Sequence, residues 1–164
     1  MSAALNTAIF NRLTGVDGAA PAAAAALAAL LATDPDTGGP AVYYGNVNDA
    51  QAKDPVSGDP VGLYPVVTYR PNAGSACHIF SDGSGAAVDE PSYDIEIWEN
   101  TRNANVIENI AAQILLLLDD RKAPRMVSGG TVYSFQTLTT VQILYDQNAN
   151  AWLGLWRFSA IEGV

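Results

Sequence analysis

Ser92-Tyr93-Asp94-Ile95-Glu96-Ile97-Trp98-Glu99 is the stretch on which the fold turns. Tyr93, Ile95 and Ile97 alternate with Asp94, Glu96 and Trp98, the period of two that sends successive side chains to opposite faces of a strand. One apolar and one charged face is the habit of an antiparallel sheet with a wet side. After the polar turn Asn100-Thr101-Arg102 the period lengthens, and a helix is expected over about 103–119. Val106, Ile110, Ile114 and Leu117 form one stripe, and Ile107, Ala111, Leu115 and Leu118 broaden it. The polar remainder (Asn105, Glu108, Asn109, Gln113) is narrow, so this helix should lie largely buried against the sheet.

Upstream, Leu5, Ile9 and Leu13 set the i, i+4 stripe of a helix over 3–13, which Thr14-Gly15 stops. A second helix is expected over 22–32. Pro21 fits its first turn, and its alanines have the highest helix propensity. Residues 41–44 read as a short strand, 65–69 as a β-branched and aromatic strand, and 76–80 as another, followed by a Gly/Ser turn over 81–87. Between them, residues 45–62 hold Gly, Pro, Asp, Asn and Ser, a long loop of the kind that often carries function. Downstream, 131–145 and 151–161 read as the arms of a hairpin turned by Asp146-Gln147-Asn148-Ala149-Asn150. The order helix, helix, strands, helix, hairpin predicts an α+β fold, an antiparallel sheet with helices packed on one face, in a single domain over 1–164.

The 164 residues are 49% hydrophobic and 15% charged, which argues against disorder. Eight Lys+Arg against 17 Asp+Glu give a net charge of −9, so attraction to a phosphate backbone is disfavoured. Arg121, Lys122 and Arg125 form the one basic cluster, placed where cations complement a helix C-terminus. A single cysteine, Cys77, allows no internal disulfide. Met1 to Phe10 lacks the pattern of a signal peptide, and the apolar run Ala19 to Ala32 falls short of the roughly 20 residues a membrane span needs. Synthesis in a cytoplasm and no membrane association are expected.

Catalytic and metal-binding constellations fail one by one. His78 is the only histidine. It neighbours Cys77, and adjacent strand residues point to opposite faces rather than forming a nucleophile–base pair. Asp34-Pro35-Asp36-Thr37-Gly38 resembles the start of a calcium loop, but position twelve is Gly45 where a Glu is required. Ser81-Asp82-Gly83-Ser84-Gly85 lacks the glycine two residues before Ser84 that a nucleophile elbow needs. Asp94 and Glu96 share one strand face, whereas a glycosidase pair would straddle a cleft. No enzyme and no cofactor are expected.

The strand Tyr93 to Trp98, the turn Glu99-Asn100-Thr101-Arg102 and a helix ending Leu-Leu-Asp resemble the core of the tail-terminator (tail-completion) proteins of tailed bacteriophages, the lambda-like tail terminators. Leu144-Tyr145-Asp146 and Leu155-Trp156-Arg157-Phe158 stand where that family has its last strand pair. Val42-Tyr43 and Tyr64-Pro65-Val66-Val67-Thr68 match its early strands. The collinear set, rather than any one motif, carries the likeness, and residues 45–62 and 70–89 look longer than usual. The resemblance implies a ring-forming subunit, a hexamer, that caps the tail tube, stops its polymerisation and joins the head–tail connector or neck. Its partners would be itself, the tail tube protein and neck proteins, and its place the virion, at the head–tail junction. DNA would pass through without specific binding, repelled by a carboxylate-lined lumen or rim for which Asp49, Asp54, Asp59, Asp94 and Glu96 are candidates. Asn46, Asn48, Gln51 and Lys53 would belong to a partner-contact loop. The alternatives are a head-closure, neck or tail-tube virion protein, and a small ligand- or carbohydrate-binding module using Trp98, Trp152 or Trp156.

Overall fold

The apolar stripe over 104–118 becomes a helix wherever it can be laid on a sheet, and the computed structural model shows it so placed. The structure describes residues 3–45, 56, 62–79, 87–101, 103–128, 130–147 and 150–163. Among them are the helices α1 (Ala3–Thr14), α2 (Pro21–Leu30) and α3 (Ala104–Leu118). The strands are β1 (Val42–Tyr44), β2 (Val66–Ile79), β3 (Ala87–Glu99), β4 (Met126–Ser128), β5 (Thr131–Thr137), β6 (Gln142–Asp146) and β7 (Ala151–Gly163). They form one seven-stranded sheet in the order β1-β2-β3-β7-β5-β4, with β6 also on β7. The fold is α+β, as expected.

Four details differ from the sequence reading. The sheet is not wholly antiparallel: β1 enters beside β2 in parallel, Val42 opposite Val67. The long connection from Gly45 to Pro65 supplies the crossover that parallel neighbours need. The two strands expected at 65–69 and 76–80 are one, β2, bulged between Asn72 and Ala76 against β3. The arm expected at 131–145 is two strands: β6 pairs the start of β7 and β5 its end. Finally, β4 pairs β5 in a stretch to which the sequence reading assigned no element.

Tyr93, Ile95 and Ile97 of β3 face the helices and are fully buried, as are Ile107, Ile110, Ile114 and Leu117 of α3 and Ile9, Leu13 and Leu27 of α1 and α2. Full burial of each such side chain is worth about 1.5–3 kcal/mol. The Tyr69 hydroxyl donates to Asn6 O (3.0 Å) and that of Tyr93 to Asn6 Oδ1 (2.8 Å), fixing α1 on the sheet. Burial pushes both phenols up to about 12, so both stay neutral donors at physiological pH.

At its start, α3 is capped by Asn103, whose Oδ1 accepts the Asn105 N–H (3.1 Å). At its end stands Asp119, a carboxylate at the negative pole of the helix dipole, inaccessible to solvent. Arg121 compensates it, donating from its backbone N–H (3.0 Å) and from Nε (2.8 Å), while Thr137 Oγ1 donates at 3.2 Å. These bonds, the Arg121 side chain's first, hold the Asp119 carboxyl down at about 2. A lowered folded pKa means the stabilisation is complete above the ordinary value near 3.8 and is lost as pH falls through 2. Arg121 is mostly in solvent, so Asp119→Asn is expected to cost about 1–2 kcal/mol at pH 7 rather than the full shift. Urea titrations at stepped pH should show wild type and variant converging below pH 3; an equal gap at pH 2 and pH 7 would refute it.

Candidate functional site

The sheet face turned away from the helices is built in rows across β2, β3 and β7. Register sets Thr68, Glu96 and Leu155 in one row, Arg70, Asp94 and Arg157 in the next, and Val66, Trp98 and Leu153 in a third. Asp94 and Glu96 thus lie on one face, as the alternation required, but that face does not leave them wet. They are 9% and 6% exposed. Arg157 Nε donates to Asp94 Oδ1 (2.7 Å) and Asn72 Nδ2 to both Asp94 oxygens (3.3 and 3.1 Å). Arg70 Nη2 pairs with Glu96 Oε1 at 2.7 Å, while Trp98 Nε1 (3.2 Å) and Thr68 Oγ1 (3.4 Å) donate to Glu96 Oε2. The bond to Asp94 is the main reason the Arg157 guanidinium holds its proton above the ordinary arginine value. Two carboxylates and two half-exposed arginines make this face a charge-balanced band. Each carboxylate is opposed by an arginine, so neither presents an unpaired negative charge to a phosphate.

The other seven residues singled out in the sequence, Asn46, Asn48, Asp49, Gln51, Lys53, Asp54 and Asp59, lie outside the described residues. Asp34 closes a local turn, accepting the Asp36 N–H on Oδ1 (2.9 Å). Cys77 and His78 are consecutive members of a regular ladder, opposite Asp89 and Val88. Among the described residues no three of His, Cys, Asp or Glu stand close enough to hold a metal ion. No helix of the described chain is long and apolar enough to cross a membrane.

Two of the tryptophans considered for ligand binding are core residues. Trp98 is buried between Glu96 and the apolar patch of Val66 and Ala151. Trp156 is buried against Phe158 (ring centroids 4.8 Å apart) and donates to Thr139 O (2.6 Å). Trp152 is half-buried with Tyr145 edge-on at 5.3 Å. A shallow groove of about 400 Å³ between α2 and α3 is lined by Ala20, Pro21, Ala22, Ala23, Gln113, Leu116 and Lys122, with few polar groups to orient a ligand.

What the sequence did not disclose is which strands border the sheet: β1 on one flank, and β4 and β6 on the other. On the second flank β6, which among the described residues pairs with β7 alone, is uncharged from Gln142 to Tyr145; Leu144 (52% exposed), Tyr145 and Leu138 stand in solvent. On the other, β1 is uncharged and exposes Tyr44 (52%). Soluble proteins usually guard such borders with Lys, Pro or inward charges.

No family model matches the chain, and no curated protein matches it. A chain from the virion of a native gene transfer agent particle has the same fold, with a TM-score of 0.59 over 98% of this chain and 96% of that one, at 18% identity. A second solved chain aligns over 100% of this chain and 97% of its own length, with a TM-score of 0.54 and 16% identity. Both likenesses run nearly end to end, so they concern the whole fold rather than one supersecondary piece.

Proposed function

We propose that the chain is a structural subunit of a phage-like particle, a tail terminator whose copies close a ring on the end of the tail tube and present a surface to the head-side connector. The observation that carries this reading is the full-length fold likeness to a chain of a gene transfer agent virion particle. It agrees with the sequence resemblance to tail terminators, and the uncharged sheet borders suit association between copies. The activity is geometric: head-to-tail contacts between identical subunits close when their rotation closes. No chemical step is part of it.

The net charge of −9 suits a channel through which DNA slides. Since Asp94 and Glu96 are arginine-paired, repulsion at the lumen or rim falls chiefly to Asp49, Asp54 and Asp59. The segment 45–62, with Asn46, Asn48, Gln51 and Lys53, is assigned to contacts with tail tube or neck proteins. The test is made on particles and on purified protein. Light scattering and electron microscopy should find a single closed ring, hexameric, with no tight, salt-resistant hold on DNA. Particles carrying a deletion within 46–61 should keep the ring but fail to join heads to tails. A protein that is only monomeric in solution and absent from purified particles would end this reading; tubes of indefinite length would favour a tail-tube subunit instead.

A further inference from the structure

We infer that neighbouring copies join by strand addition, β6 of one copy pairing antiparallel with β1 of the next, with Leu144 opposite Tyr43; this deepens the ring reading and rests on it.

The argument is one of parity. A strand can extend a sheet without a bulge only if its outward-facing peptide groups meet outward-facing ones and its side chains fall on matching faces. Val67 N–H donates to Ala41 O (3.0 Å), so Val67 turns its peptide groups toward β1 and Thr68 turns its own toward β3. The antiparallel registers Thr68↔Glu96, Ile97↔Gly154 and Leu153↔Leu144 carry this alternation across the sheet. At β6, Leu144 therefore faces β7, and Ile143 and Tyr145 direct their N–H and C=O groups outward. On the opposite border Ala41 O and Gly45 N–H both engage β2, the latter at Tyr69 O (3.0 Å). Tyr43 does likewise, so Val42 and Tyr44 turn outward.

The outward residues of both borders carry their side chains on the same side. Ile143 and Tyr145 align with Gly154 and Trp152, and Val42 and Tyr44 with Val67 and Tyr69, all on the helix-bearing face. Strand direction agrees as well. β1 runs parallel to β2, and β2, β3, β7 and β6 alternate, so β6 runs opposite to β1. A second copy, brought up by rotation alone, meets β6 with an antiparallel β1 and with its helices on the same side. The pairs formed are Ile143 with Tyr44, Leu144 with Tyr43 and Tyr145 with Val42. Each sets an aliphatic group against an aromatic one, and such pairs are the favoured units of sheet association. No charge is buried, because neither border has one at these positions.

The test uses the full chain with Cys77→Ser. Tyr43→Cys and Leu144→Cys together, at a pair whose β-carbons should approach closely, are expected to oxidise to a ladder of covalent oligomers ending in one closed species, while neither single variant cross-links. Leu144→Lys, at an exposed site, should leave the melting temperature unchanged and abolish the ring. Rings seen by electron microscopy without cross-linking, or surviving Leu144→Lys, would overturn the strand pairing and leave the ring reading standing. Dimers from Leu144→Cys alone would overturn it in favour of β6 pairing with itself. Monomers at every concentration, with no cross-link, would overturn both.

Discussion

Arg12→Leu is expected to cost about 3–5 kcal/mol, the range for breaking a buried charged network. Arg12 is only 2% exposed, on α1. Its Nη1 donates to Leu117 O (3.0 Å) and Pro124 O (2.7 Å), its Nη2 to Arg125 O (3.5 Å), and its Nε pairs with Asp17. Leu117 O belongs to the last turn of α3, whose carbonyls have no partner within the helix. One guanidinium thus closes the end of α3, holds the turn that leads into β4 and carries a counter-charge for Asp17. Leucine fills similar space but donates nothing, and each buried carbonyl left without a donor costs about 1–3 kcal/mol. Thermal unfolding should fall by roughly 10 °C or more. Arg12→Lys should recover less than half of the loss, because a single ammonium cannot span the fork of acceptors. A leucine variant melting within about 2 °C of wild type would show that the network contributes little.

Gly154→Ala should be nearly as damaging, through space rather than polarity. Gly154 lies in β7 directly beneath α3. A β-carbon there would stand 2.4 Å from Ile107 Cγ2, 3.4 Å from Val141 Cγ2 and 3.5 Å from Ile97 Cβ. Glycine normally weakens a strand, so its place at the centre of the sheet reflects the close approach of the helix. Overpacking of a dense core costs about 1–3 kcal/mol, and about 3 is expected here because Ile107 is fully buried and cannot withdraw. Ile107→Leu, which moves the branch away from Cβ, should restore part of the loss in the double variant. Equal losses in the single and double variants would place the strain elsewhere. Gly154→Val should express poorly or fail to fold.

Local signals carried much of the fold. The alternation from Tyr93 to Ile97 and the stripe from Val106 to Leu118 hold because the apolar face that each implies is buried, although the charged face of the strand is covered rather than wet. Residues 70–75 lie between the two strands expected from the sequence, yet β2 runs through them. At Pro71 the strand is already past β1, so a missing N–H on the outer side costs nothing. Leu138 to Val141 carried no breaker, yet the chain leaves the sheet there as it passes from β5 to β6. The candidate site was legible only as a pattern. That Asp94 and Glu96 share a face follows from spacing; that they are covered and neutralised depends on Arg157, far along the chain, and Arg70 from the strand before. Alternation within one strand holds no information about such cross-strand partners. The borders β1 and β6 were invisible for the same reason, since which strand ends a sheet is a property of topology.

The central place of β7 also governs when the molecule can become competent. β1, β2 and β3 form one half of the sheet and β4 and β5 the other, and β7 alone joins them while creating the seat for β6. β7 follows every other strand in the chain, so it emerges last from the ribosome. Until it arrives, a nascent chain owns the β1 side without the β6 side. Under the strand pairing inferred above, such a chain would offer β1 to a finished neighbour before it could offer β6 to the next. If copies join as inferred above, the order of synthesis sets the order in which the two joining strands become available.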